Sequence, residues 1–132
     1  MIHPDLRPKT QPIGKNRVVL LEDFYYRCPK TQIETLSKKG FIIDGMTIAR
    51  ILWSILGAPF SPTNIGPAFT HDNPYRFGVD MYGNSISRKN ADIIIEQALK
   101  MNNVNWLVRK AVYSGLRTGG WVAWNKHRSV NK

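Results

Sequence analysis

The chain has 132 residues, 42% of them apolar, which is enough for one domain with one modest core and too apolar for a disordered segment. Its 19 Lys and Arg against 9 Asp and Glu leave a formal charge of +10, which favours anionic partners: nucleic acid, lipid headgroups or an acidic protein surface. A single cysteine, Cys28, excludes an internal disulfide, no His/Cys group has zinc-site spacing, and no stretch approaches the roughly 20 apolar residues of a membrane span.

The basic residues are dispersed. Their closest pairs, Lys38-Lys39, Arg88-Lys89 and Arg109-Lys110, do not form the dense run of a nucleic-acid tail, and a solvated mixed surface is the simpler account of the charge. Met1-Ile2-His3-Pro4 lacks the apolar run of a signal peptide, so synthesis in the cytoplasm is expected.

Residues 1–16 carry Pro4, Pro8 and Pro12 and read as an extended arm, either disordered or lying on a neighbouring subunit. A single domain is expected over 17–124, followed by a basic tail over 125–132. Arg17 to Arg27 is rich in β-branched and aromatic residues and predicts a strand. Cys28-Pro29-Lys30 predicts a turn, and Thr31 to Leu36 alternates, with Ile33, Thr31 and Thr35 on one face. Lys38-Lys39-Gly40 breaks that run, and Phe41-Ile42-Ile43 is a short apolar segment ending at the turn signal Asp44-Gly45. Together these segments predict an antiparallel meander.

The period then changes. Ile48, Ile51, Leu52 and Ile55 share one helical face, with Thr47 as N-cap and Gly57 beyond the C-terminus. Pro67 suits the first turn of a second helix carrying Ala68, His71, Asp72 and Tyr75. Ser87 caps a helix from Arg88 to about Asn102, and Asn105 caps another from Trp106 to about Arg117. Gly119-Gly120 ends it, with Trp121 and Trp124 expected to fold back on the core. The fold class is therefore α+β: a short antiparallel meander from the N-terminal half packed on three or four helices from the C-terminal half.

Ala68, His71, Asp72 and Tyr75 fall at i, i+3, i+4 and i+7, one face of a helix. A small residue, an imidazole, a carboxylate and a phenol make a poor core face and a reasonable site. Asp92 lies at the edge of the stripe Ala91, Ile94, Ile95, Ala98 and Leu99, where a carboxylate is desolvated and needs a partner. If the two helices pack antiparallel, Asp92 accepts a hydrogen bond from His71 and orients it as a general base, with Asp72 free to hold a hard cation. The competing account is structural. Arg76 lies four residues after Asp72 and Arg88 four before Asp92, so both pairs read equally as helix ion pairs, with His71 a satisfied core histidine.

Gly40-Phe-Ile-Ile-Asp44-Gly-Met-Thr47-Ile-Ala-Arg50-Ile-Leu-Trp53, then Gly57-Ala-Pro59-Phe60, His71-Asp72 through Tyr75, and Ser87-Arg88 with Ala91-Asp92, resemble a domain of unknown function common in tailed-phage and prophage genomes. The resemblance covers residues 17–117. Ile43, Ala49 and Pro74 stand where that family has threonine, proline and leucine, and Pro74 removes a donor one turn from Thr70, beside His71. A weaker similarity links the His-Asp-x-x-Tyr helix and the following Ala-Asp helix to secretory and parvoviral phospholipases. It implies His71 as water-activating base, Asp92 as its orienting carboxylate, Tyr75 as support and calcium on Asp72; the glycine-rich calcium loop of those enzymes has no clear counterpart in Gly57 to Gly66.

The phage resemblance implies a protein made in the host bacterial cytoplasm and incorporated in the virion, near the tail or head–tail joint, where other virion proteins or further copies of itself are the partners. The alternative is a His/Asp-dependent, calcium-assisted ester or phospholipid hydrolase at an anionic membrane surface, serving host-cell penetration or lysis. A second alternative is a nucleic-acid-binding accessory protein, supported by charge and scattered aromatics alone.

Overall fold

The computed structural model describes residues 8–14, 17–43 and 65–130. The expected helix over Ile48 to Leu56, its Thr47 cap and most of the Gly40–Phe60 motif lie outside the described residues.

Among the described residues, five strands and four helices follow in order: β1 (Thr10–Gly14), β2 (Arg17–Leu20), β3 (Phe24–Arg27), β4 (Glu34–Ser37), β5 (Ile42–Ile43), α1 (Ile65–Phe77), α2 (Arg88–Met101), α3 (Trp106–Gly119) and α4 (Trp121–Val130). Strands in the N-terminal half and helices in the C-terminal half make this an α+β protein, as expected.

The strand order departs from a simple meander. Arg17 to Arg27 is two strands, broken at Leu21–Asp23, where Leu21 is exposed and the Asp23 carboxylate accepts a hydrogen bond from the Lys39 N–H at 2.8 Å. The break sends β2 and β3 into different sheets. One has the order β1-β2-β5 and the other pairs β3 with β4, all antiparallel. The β3–β4 hairpin is thus an excursion between β2 and its partner β5. Residues 10–14 of the expected arm form the edge strand β1, with Pro12 opposite Val18. An edge position accommodates proline because the missing N–H would face away from the neighbouring strand.

The helix signals are read as the sequence implies. The Ser87 hydroxyl accepts from the Asn90 N–H at 3.1 Å and the Asn105 side chain from the Val108 N–H at 2.9 Å, each satisfying an orphan donor of a first turn. On α2 the stripe Ala91, Ile94, Ile95, Ala98 and Leu99 is buried throughout. Ile95 and Leu99 meet Val112 and Leu116 of α3, while Ile94 and Ala98 meet Tyr26 and Cys28 of the hairpin. A second cluster joins Val18, Leu20 and Ile43 of the three-stranded sheet to Ile65, Ala68 and Phe69 of α1.

Helix α1 sits between these layers. Every residue from Ile65 to Tyr75 is buried, including Thr70, His71, Asp72 and Asn73. The helix continues through Pro74, and the Gly78 N–H closes its end on the Pro74 carbonyl at 2.8 Å.

Beyond Gly120 the chain turns into α4. The segment expected as a basic tail is thus helical to Val130. Trp124 does fold back, its ring edge-on to Tyr75 at 5.3 Å. Trp121 does not: it opens the helix with 53% of its surface exposed.

Candidate functional site

Helix α1 delivers His71, Asp72 and Tyr75, and helix α2 delivers Asp92. All four are buried, and His71, Tyr75 and Asp92 have no exposed surface. The structure brings these three together. The Tyr75 hydroxyl donates to Asp92 Oδ1 at 2.5 Å, and the rings of His71 and Tyr75 lie 4.0 Å apart, centroid to centroid. Asp92 Oδ2 accepts from Arg117 Nη1 of α3 at 2.9 Å and lies 3.5 Å from Arg88 Nη1.

The expected bond between His71 and Asp92 is absent. His71 Nε2 is 4.0 Å from Asp92 Oδ1, beyond hydrogen-bond reach, and neither ring nitrogen has a hydrogen-bond partner among the described residues. Tyr75, one turn further along the same face, occupies the oxygen that His71 would need. Burial pushes the imidazole pKa down to about 3, so the ring is neutral near pH 7. Desolvation raises the Asp92 pKa, opposed by its bonds to Tyr75 and Arg117 and by the charges of Arg88 and Arg117. The Tyr75 pKa is raised by burial first and by Asp92 second.

Asp72 Oδ2 meets Arg76 Nη2 at 3.1 Å, the i,i+4 pair anticipated from spacing, and the carboxylate is almost fully buried. Among the described residues no group of three or more His, Cys, Asp or Glu side chains could hold a metal ion.

Three arginines complete the cluster: Arg88 is the i,i+4 partner of Asp92 anticipated from spacing, whereas Arg117 and Arg128 have no signal in the sequence. Arg117 reaches Asp92 from another helix, a long-range pairing that no periodicity encodes. Arg88 also donates to the carbonyls of Leu116 at 2.8 Å and Arg117 at 3.4 Å, capping the end of α3. Arg128 of α4 does the same for α1, donating to the carbonyls of Tyr75 and Arg76 at 2.6 and 2.7 Å, while its guanidinium stacks 4.3 Å from the centre of the Trp124 ring. Gly120 completes the turn between α3 and α4. A Cβ there would run into the Tyr75 hydroxyl and come within 2.6 Å of the Leu116 carbonyl, so the short turn needs glycine for space rather than for its torsions, which are ordinary.

The fold and its buried polar cluster define a small α+β domain in which a tyrosine–carboxylate–arginine brace ties α1, α2 and α3 together, while Arg128 fastens α4 to the end of α1. Residues 18–116, about three-quarters of the chain, match the family described as "Protein of unknown function (DUF1353)", and the chain belongs to that family. No curated protein and no solved structure matches it.

Proposed function

We propose that this protein is a structural or accessory module of a tailed-phage particle, docking onto neighbouring virion proteins through its two C-terminal helices. The observation that carries the reading is the exposure of Trp106, Leu107, Trp121 and Val122, each with more than half its surface in solvent, at the starts of α3 and α4. Tryptophan left in water is costly and is enriched where interfaces concentrate their binding energy. The internal cluster agrees with a non-catalytic role. Asp92 is engaged by groups from three helices, His71 is uncharged and sealed from solvent, and together they act as a polar brace in the helical layer.

The decisive experiment is quantitative mass spectrometry of purified particles of the encoding phage. A fixed copy number per particle, lost when Trp106→Ala and Trp121→Ala are combined in a folded variant, is the expected result. Absence of the protein from particles sinks the reading.

A hydrolase reading is favoured by one specific observation: His71 is buried with both nitrogens unpaired among the described residues, 4.0 Å from a carboxylate, beside Asp72. Buried polar groups are almost always paired, so such a group is a candidate for chemistry in a second, open arrangement. Fatty-acid release from anionic phospholipid vesicles, with calcium and with chelator, separates the readings. Calcium-dependent release abolished by His71→Ala establishes the enzyme; no release by folded wild-type protein removes it.

A further inference from the structure

Away from the buried cluster, the β3–β4 turn and the helices α2 and α3 enclose an open cleft of about 330 Å³, lined by Lys30, Lys89, Ile93, Glu96, Lys110 and Tyr113. Its volume falls at the lower end of the range for small-ligand sites. The charge balance within it is uneven. Glu96 is the only carboxylate among the described residues of the lining, and both its oxygens are taken. Oε1 accepts from Lys110 Nζ at 2.9 Å; Oε2 accepts from Gln97 Nε2 at 3.0 Å and lies 3.6 Å from Arg109 Nη1. With its side chain only 7% exposed, Glu96 is an internal counter-ion for Lys110 and Arg109.

Lys30 and Lys89 are left without such compensation. Both are exposed, and neither forms an ion pair among the described residues. Two uncompensated ammonium groups on one concave wall repel each other in the free protein and concentrate positive potential where an anion would enter. The remaining lining is of another kind. Ile93 and Tyr113, both half-buried, offer an apolar side and a phenol ring. A wall that pairs cations with an aromatic face suits a ligand that carries both an anionic group and a flat ring.

We propose that this cleft binds a nucleoside phosphate, with Lys30 and Lys89 on the phosphate oxygens and the base against Tyr113 and Ile93. The same chemistry is presented by a free nucleotide and by one residue of a single strand. The inference is independent of the particle role proposed above, since it uses none of the residues that carry that role.

The test is calorimetric titration of the full-length protein at low salt with ATP, with tripolyphosphate as the probe lacking a ring, and with a short oligothymidylate. Combined Lys30→Ala and Lys89→Ala should weaken ATP binding at least about tenfold, since each removes a charge-assisted contact. Tyr113→Leu should weaken ATP about fivefold and leave tripolyphosphate unchanged, because stacking contributes on the order of 1 kcal/mol or more per base. The charge-matched pair Lys38→Ala and Lys39→Ala, outside the cleft, should stay within about twofold of wild type. If ATP binds and the oligonucleotide does not gain from added length, the source is free nucleotide; if affinity rises with length and keeps the same dependence on Lys30, Lys89 and Tyr113, it is a single strand. No saturable ATP binding at millimolar concentration overturns the proposal. Equal weakening by the control pair also overturns it, as does indifference to Tyr113→Leu. All the substituted side chains are exposed or half-buried, and an unchanged melting temperature verifies that each variant is folded.

Discussion

Acid should unfold this protein through His71, and the amount can be worked from its burial. The imidazole is sealed from solvent, with no hydrogen-bond partner among the described residues, and its burial holds the pKa at about 3 against 6.5 for a free histidine. In the folded state the ring stays neutral across that interval, whereas in the unfolded chain it binds a proton as soon as the pH falls below about 6.5. The unfolded state therefore takes up more protons, and stability declines as pH falls from about 6.5 towards 3. Between about pH 8 and pH 5 the loss from this one group is about 2 kcal/mol, and it grows to about 4–5 kcal/mol once the folded-state pKa is reached. For a chain of this size, 2 kcal/mol lowers the melting temperature by roughly 6–10 °C. The raised pKa of Asp92 acts in the opposite sense, adding stability as the carboxylate is protonated, so the wild-type curve alone does not isolate His71. The comparison with His71→Gln does. Urea melts followed by tryptophan fluorescence at pH 8 and pH 5 should show the wild type losing about 2 kcal/mol more than the variant over this interval. Equal losses in the two proteins would refute the account of a neutral, desolvated ring.

The brace around Asp92 makes three further predictions. Asp92→Ala removes a buried acceptor from Tyr75, Arg88 and Arg117 and should cost about 2–4 kcal/mol, less than a fully buried pair because both guanidinium groups retain some solvent; urea unfolding reads it, and a loss below about 0.5 kcal/mol would deny the brace. Gly120→Ala should destabilise by about 1–3 kcal/mol through overpacking against the Tyr75 hydroxyl and the Leu116 carbonyl, although alanine normally favours such backbone torsions, and a stabilised variant by thermal melting would contradict the packing described. Arg128→Ala removes two hydrogen bonds to the carbonyls ending α1 and a stacked contact with Trp124, so a loss of about 1–3 kcal/mol is expected, together with faster amide exchange in α4.

Local signals carried much of this fold. Ser87 and Asn105 announce their helices because a cap is chemistry between neighbours, and the 3.6-residue stripe from Ala91 to Leu99 faces the core as its spacing implies. What escaped a reading of the sequence is non-local. Nothing in RVVLLEDFYYR tells that the break at Leu21–Asp23 moves the chain to another sheet, because β2 finds its partner only after a hairpin has intervened. On α1 the polar residues Thr70, His71, Asp72 and Asn73 interrupt any apolar stripe, yet all are buried, since the helix is enclosed by a sheet on one side and helices on others. The convergence of His71, Tyr75 and Asp92 was legible from i,i+4 spacing and the neighbouring helix. Which of them bonds was not, because the choice depends on Arg117 and Gly120, more than twenty residues downstream.

That choice is the point at which the two functional readings part. Tyr75 and His71 compete for one oxygen of Asp92, and in this structure the phenol holds it at 2.5 Å while the imidazole stands 4.0 Å away. Tyr75→Phe removes the competitor, keeps the ring that packs against Trp124 and His71, and should cost about 1–2 kcal/mol for the lost buried hydrogen bond. If the cluster conceals a dyad, the freed oxygen then accepts from His71 Nε2, and the nearby carboxylate raises the imidazole pKa from about 3 towards the neutral range. The proton resonances of the His71 ring, followed from pH 8 to the acid limit of folding, report this directly. An upward shift of more than about one unit shows that His71 and Asp92 are mechanically able to pair, as a general base requires. A ring that still refuses a proton means that Arg88 and Arg117 hold Asp92 in place without help from Tyr75, and the carboxylate then belongs to the brace alone.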